Sequence, residues 1–521
     1  MDAIRRPLVS WPLLGKSRVP RGGLIAIVWH RSITTSWRIP VQTLNLIGGQ
    51  WCQADSGARF PVLNPADDSL VAEVPDCGAA ETLRAIDVAE RARFEFLARP
   101  LGERTDLLRS ISARMGQQVE ALAELLTAEQ GKPLTEARGE VDYARSFLDG
   151  AAYEADRFPL VEELDRERTG KRVLVHPTSI GTTAAITPWN FPIAMLAKKV
   201  GPAFAMGCSM VLKPSEETPL SALAFAEICV ECGLPPGVLN VLTGRPEVIG
   251  RVLMESPLVR KISFTGSTDV GRLLVHGAAT NLPRLSLELG GHAPFIVLEG
   301  ADLDAAVAGA LACKFRNGGQ ACISANRFLI QRSVHDDFVE RLRLAAEDLV
   351  VGRGTDPGVQ IGPVINDGAM AKIDQHVADA LELGASCILG GEHLRFDGLA
   401  DRFYAPTILV GCTPEMLCFR EETFGPVCPV RAFDTVDEAV ALANDSPYGL
   451  AGYLWAADSG EAVAIARRLE VGVVGVNDPA PVTAHTPFGG VKSSGWGREG
   501  GRAALEEYVP VQTISLGGIG S

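Results

Sequence analysis

The stretch Thr182-Thr-Ala-Ala-Ile-Thr-Pro-Trp-Asn-Phe-Pro-Ile-Ala-Met-Leu-Ala-Lys-Lys-Val-Gly-Pro-Ala-Phe-Ala-Met-Gly-Cys-Ser-Met-Val-Leu-Lys213 decides the fold. It opens on a strand-length run, Thr182–Thr187, and closes on another, Ser209–Lys213. Between them, the apolar residues of Met195–Met206 recur at helical spacing. The alternation continues with a helix at Leu220–Cys232, a strand at Val238–Thr243 and a helix at Glu247–Met254. A strand at Lys261–Thr265 and a helix at Asp269–Ala278 follow. Strands separated by helices of this length are βαβ units, which build a parallel sheet covered on both faces. A second alternating block runs from Ala293 to about Asn477, with strands at Phe295–Leu298, Arg327–Gln331 and Gly472–Asn477. Two α/β domains in series are therefore expected.

Outside these blocks, Ala80 to about Phe147 reads as helix-rich and amphipathic, while Arg168–His176 and the tail from Tyr508 read as extended. Two extended pieces outside both cores are sheet edges in need of a partner, and another subunit is the usual one.

Composition narrows the function. With 46% hydrophobic and 21% charged residues over 521 positions, the chain is neither disordered, collagen-like nor a small disulfide scaffold. Its net charge of −14 argues against general nucleic-acid binding, which needs a basic face. The charge is uneven: residues 1–45 hold seven basic residues and one acid, a net +6, so the remainder carries −20. That head resembles a targeting segment in composition, or a translated stretch upstream of the functional start, and is set apart from the fold. Its longest apolar run, Leu24–Trp29, is far short of the ~20 residues that span a bilayer, so no membrane partner is expected. Eleven scattered cysteines, an odd number, read as reduced thiols in a cytoplasmic setting. Cys229 and Cys232 are formally a CxxC but fall inside a helical pattern, and the eight histidines form no HxxxH or HExxH pair, so no metal site is expected.

Several stretches carry chemistry. The only Gly-x-Gly-x-x-Gly match, Gly495-Trp-Gly497-Arg-Glu-Gly500, follows Lys492-Ser-Ser494 and not a strand, so it fails as a dinucleotide loop. The junction Thr265-Gly266-Ser267 is better placed, directly after a strand. Gly266 admits close backbone approach, and Ser267 can cap a helix whose positive end receives a diphosphate. At another strand end, Lys213-Pro-Ser-Glu216 offers a carboxylate for a ribose diol. Glu216 would repel a 2′-phosphate by roughly 1–4 kcal/mol, favouring NAD over NADP. Taken singly, each of these has an ordinary structural explanation.

Three further segments change that: Thr187-Pro-Trp-Asn-Phe-Pro192, Leu285-Ser-Leu-Glu-Leu-Gly-Gly291 and Phe315-Arg-Asn-Gly-Gly-Gln-Ala-Cys322. With them, the motifs PWNFP, KPSE, FTGS, LELGG, GQxC, EETFGP and PFGGxKxSGxGRE stand in one order from about Leu46 to the C-terminus. In this the chain resembles the aldehyde dehydrogenase superfamily, and within it the succinate-semialdehyde dehydrogenase group. The resemblance implies a catalytic Cys322 that attacks the aldehyde, with Asn190 and the Cys322 N–H forming an oxyanion hole. It also implies that Glu288 is the base that hydrolyses the resulting thioester. A CoA-acylating relative has no need of such a base, so the chain reads as hydrolytic. By the same resemblance Trp189, Lys213, Glu216, Gly266, Ser267, Glu422 and Phe424 would hold NAD, with NADP less favoured, and Phe488 would line a substrate tunnel.

The substrate is less sharply marked. Arg316 matches the family arginine that grips a distal carboxylate, and a planar guanidinium suits that task. A second family arginine is replaced here by Lys198, and a family serine falls at Val482 or Thr483. Ser324 stands where some relatives carry a second thiol. The resemblance thus implies an α/β fold of two Rossmann-like parallel-sheet domains in series plus a small extended oligomerisation element. Residues 46–160 and 180–290 would form the NAD-binding domain, 291–493 the catalytic domain, and 161–179 with 505–521 the bridging segments of a homodimer or homotetramer. The expected activity is oxidation of a small semialdehyde to the acid. The alternatives are a dehydrogenase for uncharged aliphatic or aromatic aldehydes and, in another class, a non-catalytic scaffold on the same fold.

Overall fold

A computed structural model describes residues 41–164 and 169–517. Residues 1–40 of the basic head at 1–45 and residues 518–521 lie outside the described residues, as does Arg168, where the first extended segment was expected to begin.

The described residues open with strands β1 (Asn45–Ile47) and β2 (Gln50–Cys52) and a hairpin, β3 (Arg59–Leu63) and β4 (Leu70–Pro75). Four helices follow: α1 (Ala79–Ala98), α2 (Leu101–Gln117), α3 (Val119–Gln130) and α4 (Leu134–Ala155). After β5 (Glu162–Leu164) and β6 (Arg172–Pro177), the alternating block begins with β7 (Thr182–Ile186), α5 (Pro192–Ala205) and β8 (Ser209–Lys213). It continues through α6 (Leu220–Glu231), β9 (Leu239–Val241), α7 (Pro246–Glu255), β10 (Lys261–Thr265), α8 (Thr268–Ala278) and β11 (Arg284–Glu288).

The parallel strands of the first sheet lie in the order β9-β8-β7-β10-β11, with β1 and β2 beyond β9. The order reverses between β7 and β10, and in open α/β sheets the crevice at such a reversal, beyond the carboxyl ends of the strands, is where ligands bind. The loop after β7 carries Trp189 and Asn190, and that after β10 carries Gly266 and Ser267. Sequence periodicity therefore leads directly to the place where the site must be.

Helix α5 begins at Pro192, three residues before the expected Met195. Proline is suited to the first helical turn, where its missing N–H is not needed. All of α5 is buried, Lys198 and Lys199 included, so both ammonium groups must find partners inside the protein.

From Glu288 the chain crosses through Leu289–His292 into a second sheet, starting at β12 (Ala293–Val297) and β13 (Ala325–Gln331). Strands β14 (Ser386–Leu389), β15 (His393–Leu394), β16 (Phe403–Tyr404), β17 (Thr407–Val410), β18 (Val427–Phe433), β19 (Ala451–Trp455) and β20 (Val473–Val476) follow. Seven of these nine form the order β14-β17-β18-β13-β12-β19-β20, parallel except for β14, while β15 and β16 pair separately. Strand β21 (Gly495–Trp496) then returns to the first sheet, antiparallel to β11, with Glu288 opposite Gly495. The expected α/β fold with two parallel-sheet domains is thus present.

The two extended segments do not wait for another subunit. Strand β22 (Val511–Leu516) pairs antiparallel with β6, from Val511 opposite Pro177 to Leu516 opposite Arg172, and β5 covers the other side of β6. Each satisfies the other's backbone groups within one chain, which periodicity could not reveal because 334 positions separate the partners Val511 and Pro177. Among the described residues β5 and β22 each keep one unpaired edge. No helix of the described residues is long and apolar enough to cross a membrane, and no cluster among them could hold a metal ion.

Candidate active site

Cys322 follows a short 3-10 turn in which Asn317, Gly318 and Gly319 have φ of 51°, 62° and 77°, three successive left-handed residues. The glycine at 319 is required by contact as well as by φ: an added Cβ would lie 2.1 Å from the Gly425 carbonyl oxygen. At Gly291 it would lie 2.2 Å from that of Cys322. The Cys322 loop is therefore wedged between the crossover Leu289–His292 and the Glu421–Pro426 turn. Burial pushes the thiol up to about 12, Glu422 adds to this, and Lys198 is the cation that pulls the other way.

Asn190 is 6% exposed in the loop after β7. Its Nδ2 donates to the Gln320 carbonyl at 3.0 Å, two residues before Cys322, and its Oδ1 accepts from the Phe191 N–H at 3.1 Å. One amide hydrogen is used in this way; an amide carries two. Asn317 Nδ2 bridges the same two segments, donating to the Asn190 carbonyl at 3.0 Å and the Gln320 carbonyl at 3.2 Å. Asn190 and the nucleophile loop are thus tied into one network.

Glu288 ends β11 and is 3% exposed, with neither carboxyl oxygen hydrogen-bonded to a described residue. Burial raises its pKa well above the ordinary carboxylate range. Glu499 raises it further, while Lys199, Lys198 and Arg498 oppose the shift. Sequence reading missed three of these, Glu499, Lys199 and Arg498. Lys199 Nζ donates to Glu499 Oε1 at 2.5 Å and to Thr265 Oγ1 at 2.6 Å, and Thr265 pairs with Glu288 across β10 and β11. Glu499 was hidden in the Gly495–Gly500 run, whose glycines serve close packing: an added Cβ on Gly495 would lie 2.0 Å from the Leu287 carbonyl oxygen. The signal that could have found Lys199 and Glu499 was a lysine pair in an otherwise apolar helix.

The crevice at the sheet reversal fits a nicotinamide dinucleotide. Lys213 Nζ, buried at the end of β8, lies 2.7 Å from Glu216 Oε2, and the Glu216 side chain is 48% exposed, so its carboxylate is open to a ribose diol. Ser267 Oγ caps α8, accepting from the Val270 N–H at 3.3 Å, and at Gly266 an added Cβ would lie 2.4 Å from the Phe264 ring. Glu422 Oε1 accepts from the Gly291 N–H at 2.9 Å, and burial lifts its carboxyl to about 7. Phe424, at a φ of 58°, sets its ring edge-on to Trp189 with centroids 5.5 Å apart. Carboxylates for diols, a helix N-terminus and aromatic faces are the donor set such a cofactor needs.

The remaining candidates divide. Lys198 Nζ sits 4.2 Å from the Phe488 ring centroid, 4.8 Å from that of Phe147 and 5.5 Å from that of Tyr143, and 3.9 Å from Glu499 Oε2. Burial works against its charge, but Tyr143, Glu499, Cys322 and Glu288 together hold its pKa above the ordinary lysine value. Arg316 lies over the Phe191 ring at 4.8 Å and the Tyr143 ring at 6.0 Å, and among the described residues it makes no ion pair within 4.0 Å. Two cations thus share one tyrosine. Thr483 is not brought to them by any contact: it is exposed and bonded within its own turn to Thr486. His485 faces Tyr153 and Glu154.

Comparison with known proteins gives the family. The family described as "Aldehyde dehydrogenase family" matches residues 51–514. The succinate-semialdehyde dehydrogenase [NADP(+)] of Escherichia coli is 46% identical over 472 residues, 91% of this chain and 97% of that protein. The 3-sulfolactaldehyde dehydrogenase of Pseudomonas putida is 47% identical over 91% of this chain and 96% of its own length. The crystal structure of succinate-semialdehyde dehydrogenase from Burkholderia pseudomallei superposes with a TM-score of 0.90 at 46% identity, covering 92% of this chain and 100% of that one.

Proposed function

The chain belongs to the aldehyde dehydrogenase family, oxidoreductases that convert aldehydes to carboxylic acids with NAD(P), and from that premise we propose a narrower activity. The substrate is a semialdehyde, an aldehyde bearing a carboxylate at its far end, such as succinate semialdehyde, and NAD is used in preference to NADP. The observation that carries the substrate is the pair Lys198 and Arg316 on the Tyr143 ring, with Arg316 free of any ion pair among the described residues. Relatives named for succinate semialdehyde and 3-sulfolactaldehyde, both anionic aldehydes, support it. The aromatic lining of Tyr143, Phe147, Phe191 and Phe488 would by itself suit an uncharged aldehyde, but Arg316 would then have no anion within 4.0 Å among the described residues. Glu216 supports NAD even though the Escherichia coli relative is named for NADP(+).

The chemistry follows from the residues. Cys322 gives up its thiol proton to solvent, and Sγ then bonds to the aldehyde carbon as the C=O π pair moves onto the oxygen, which takes up the negative charge. The second Asn190 amide hydrogen and the Cys322 N–H stabilise that charge, each such donor being worth about 3–4 kcal/mol in the transition state. Glu422 and Phe424 would hold the nicotinamide, which when bound would supply the acceptor for the hydride lost from that carbon. The acyl group is then a thioester on Cys322, and Glu288, in its ionised form, takes a proton from the water that cleaves it. Glu499 and Lys199 stand next to Glu288 as the groups that set its charge. The assembly we favour is a homodimer or homotetramer formed through the unpaired edges of β5 and β22.

Steady-state kinetics of succinate semialdehyde against butanal, in native enzyme and Arg316→Ala, test the substrate. A KM for succinate semialdehyde that Arg316→Ala leaves unchanged contradicts the carboxylate grip.

A further inference from the structure

One face of α4 is turned to the site. Glu136, Glu140, Tyr143 and Phe147 follow one another at helical spacing. Tyr143 and Phe147 border Lys198, and Glu136 Oε2 accepts from the Asn317 N–H at 2.8 Å. Glu140 is different: it pairs with Lys132 at 2.5 Å, with side chains 1% and 0% exposed, and neither residue belongs to the chemistry described above.

A buried ion pair is weak evidence of stabilisation, because desolvation offsets most of the attraction. What matters is where its remaining hydrogen-bonding capacity goes. Lys132 Nζ donates to the Asn190 carbonyl oxygen at 2.7 Å and lies 4.1 Å from the Phe191 ring centroid. Glu140 Oε1 accepts from the Ile193 and Ala194 N–H groups at 3.0 and 3.2 Å, at the start of α5. The pair therefore grips the Asn190–Ala194 segment from both sides of Phe191 and Pro192. The grip is anchored elsewhere: the Leu134 N–H donates to the Gly354 carbonyl at 2.9 Å. An added Cβ on Gly362 would lie 2.1 Å from the Gly131 carbonyl oxygen.

We propose that Lys132 and Glu140 are positioning residues that act through Asn190, fixing the backbone from which its amide reaches the oxyanion. The proposal rests on the role given to Asn190 above. Displacement of a catalytic donor by about 1 Å can cost on the order of 100-fold in rate.

The test is a double-mutant cycle in the holoenzyme. Lys132→Met is expected to lower kcat roughly 10–100-fold, with KM for the aldehyde and NAD affinity within about two-fold. In an Asn190→Ala background the same substitution is expected to cost less than about three-fold further, because the group it positions is gone. The double variant Lys132→Met/Glu140→Gln removes both charges, leaves no orphaned ion, and carries the same comparison if Lys132→Met alone does not fold. A loss of equal size with and without Asn190 overturns the proposal, as does an unchanged kcat in Lys132→Met. If Asn190→Ala itself leaves kcat unchanged, the oxyanion role of Asn190 fails first, and this inference with it.

Discussion

Lys199 Nζ lies 2.5 Å from Glu499 Oε1, a buried ion pair between residues 300 positions apart that sets the charge environment of Glu288. Burial and the nearby Glu499 carboxylate both favour the protonated form of Glu288, so kcat is expected to rise with pH as Glu288 ionises, above the ordinary carboxylate range. Glu499→Gln removes a like charge and frees Lys199, and both changes favour ionised Glu288. The rising limb of kcat against pH is therefore expected to move to lower pH. A limb that stays in place or moves to higher pH contradicts this arrangement.

Lys198 keeps the charge of the arginine that its position resembles but not the fork. Lys198→Arg is expected to lower KM for succinate semialdehyde several-fold, since bidentate pairing with a carboxylate strengthens the contact by about 1 kcal/mol. KM for butanal is expected to stay within about two-fold. Parallel changes for both aldehydes would show that Lys198 shapes the pocket without reading the carboxylate.

Glu216 is half-exposed beyond the end of β8, and among the described residues Lys213 is its ion-pair partner. Glu216→Ala is expected to lower the ratio of kcat/KM for NAD over NADP by about tenfold or more, through gain with NADP and loss with NAD. A ratio that does not fall removes Glu216 from cofactor choice.

How far the sequence reached depends on what each residue answers to. Cys322, Glu288 and Asn190 were legible because each sits in a short motif whose residues are neighbours in the chain. The strands β7, β8 and β10 were legible because each is a strand-length run followed by a stretch with helical spacing. Glu499, Lys132 and Glu140 were not. Their roles arise only when α4, α5 and the Gly495–Gly500 run meet, and on α4 a glutamate at helical spacing reads as an ordinary solvated face. The start of α5 at Pro192 was readable and was missed, because the apolar spacing outweighed the proline. The pairing of β6 with β22 needed long-range information that no local pattern carries.

Glu90 on α1 ties that helix to the first sheet. It accepts from Arg93 at 2.8 and 2.9 Å, from Arg260 at 2.9 Å and from Thr182 Oγ1 at 2.7 Å. Burial alone would raise its pKa, but these donors outweigh burial and hold it at about 2. Its folded-state pKa is thus depressed, so the stability it contributes is present above the unfolded value, near 4.5, and is lost as pH falls toward 2. Glu90→Gln is expected to cost about 2 kcal/mol at pH ~7, read from the urea midpoint, and much less at pH ~3. A cost that does not shrink on acidification contradicts an ionic origin.

The central claim is a covalent route in which Cys322 carries the acyl group and Glu288 releases it. It is tested most directly by mixing Glu288→Gln with NAD and succinate semialdehyde, quenching, and determining the mass of the peptide containing Cys322. The account predicts a burst of NADH of about one per active site, slow turnover afterwards, and a succinyl adduct on Cys322. Undiminished steady turnover with Cys322 unmodified would contradict it.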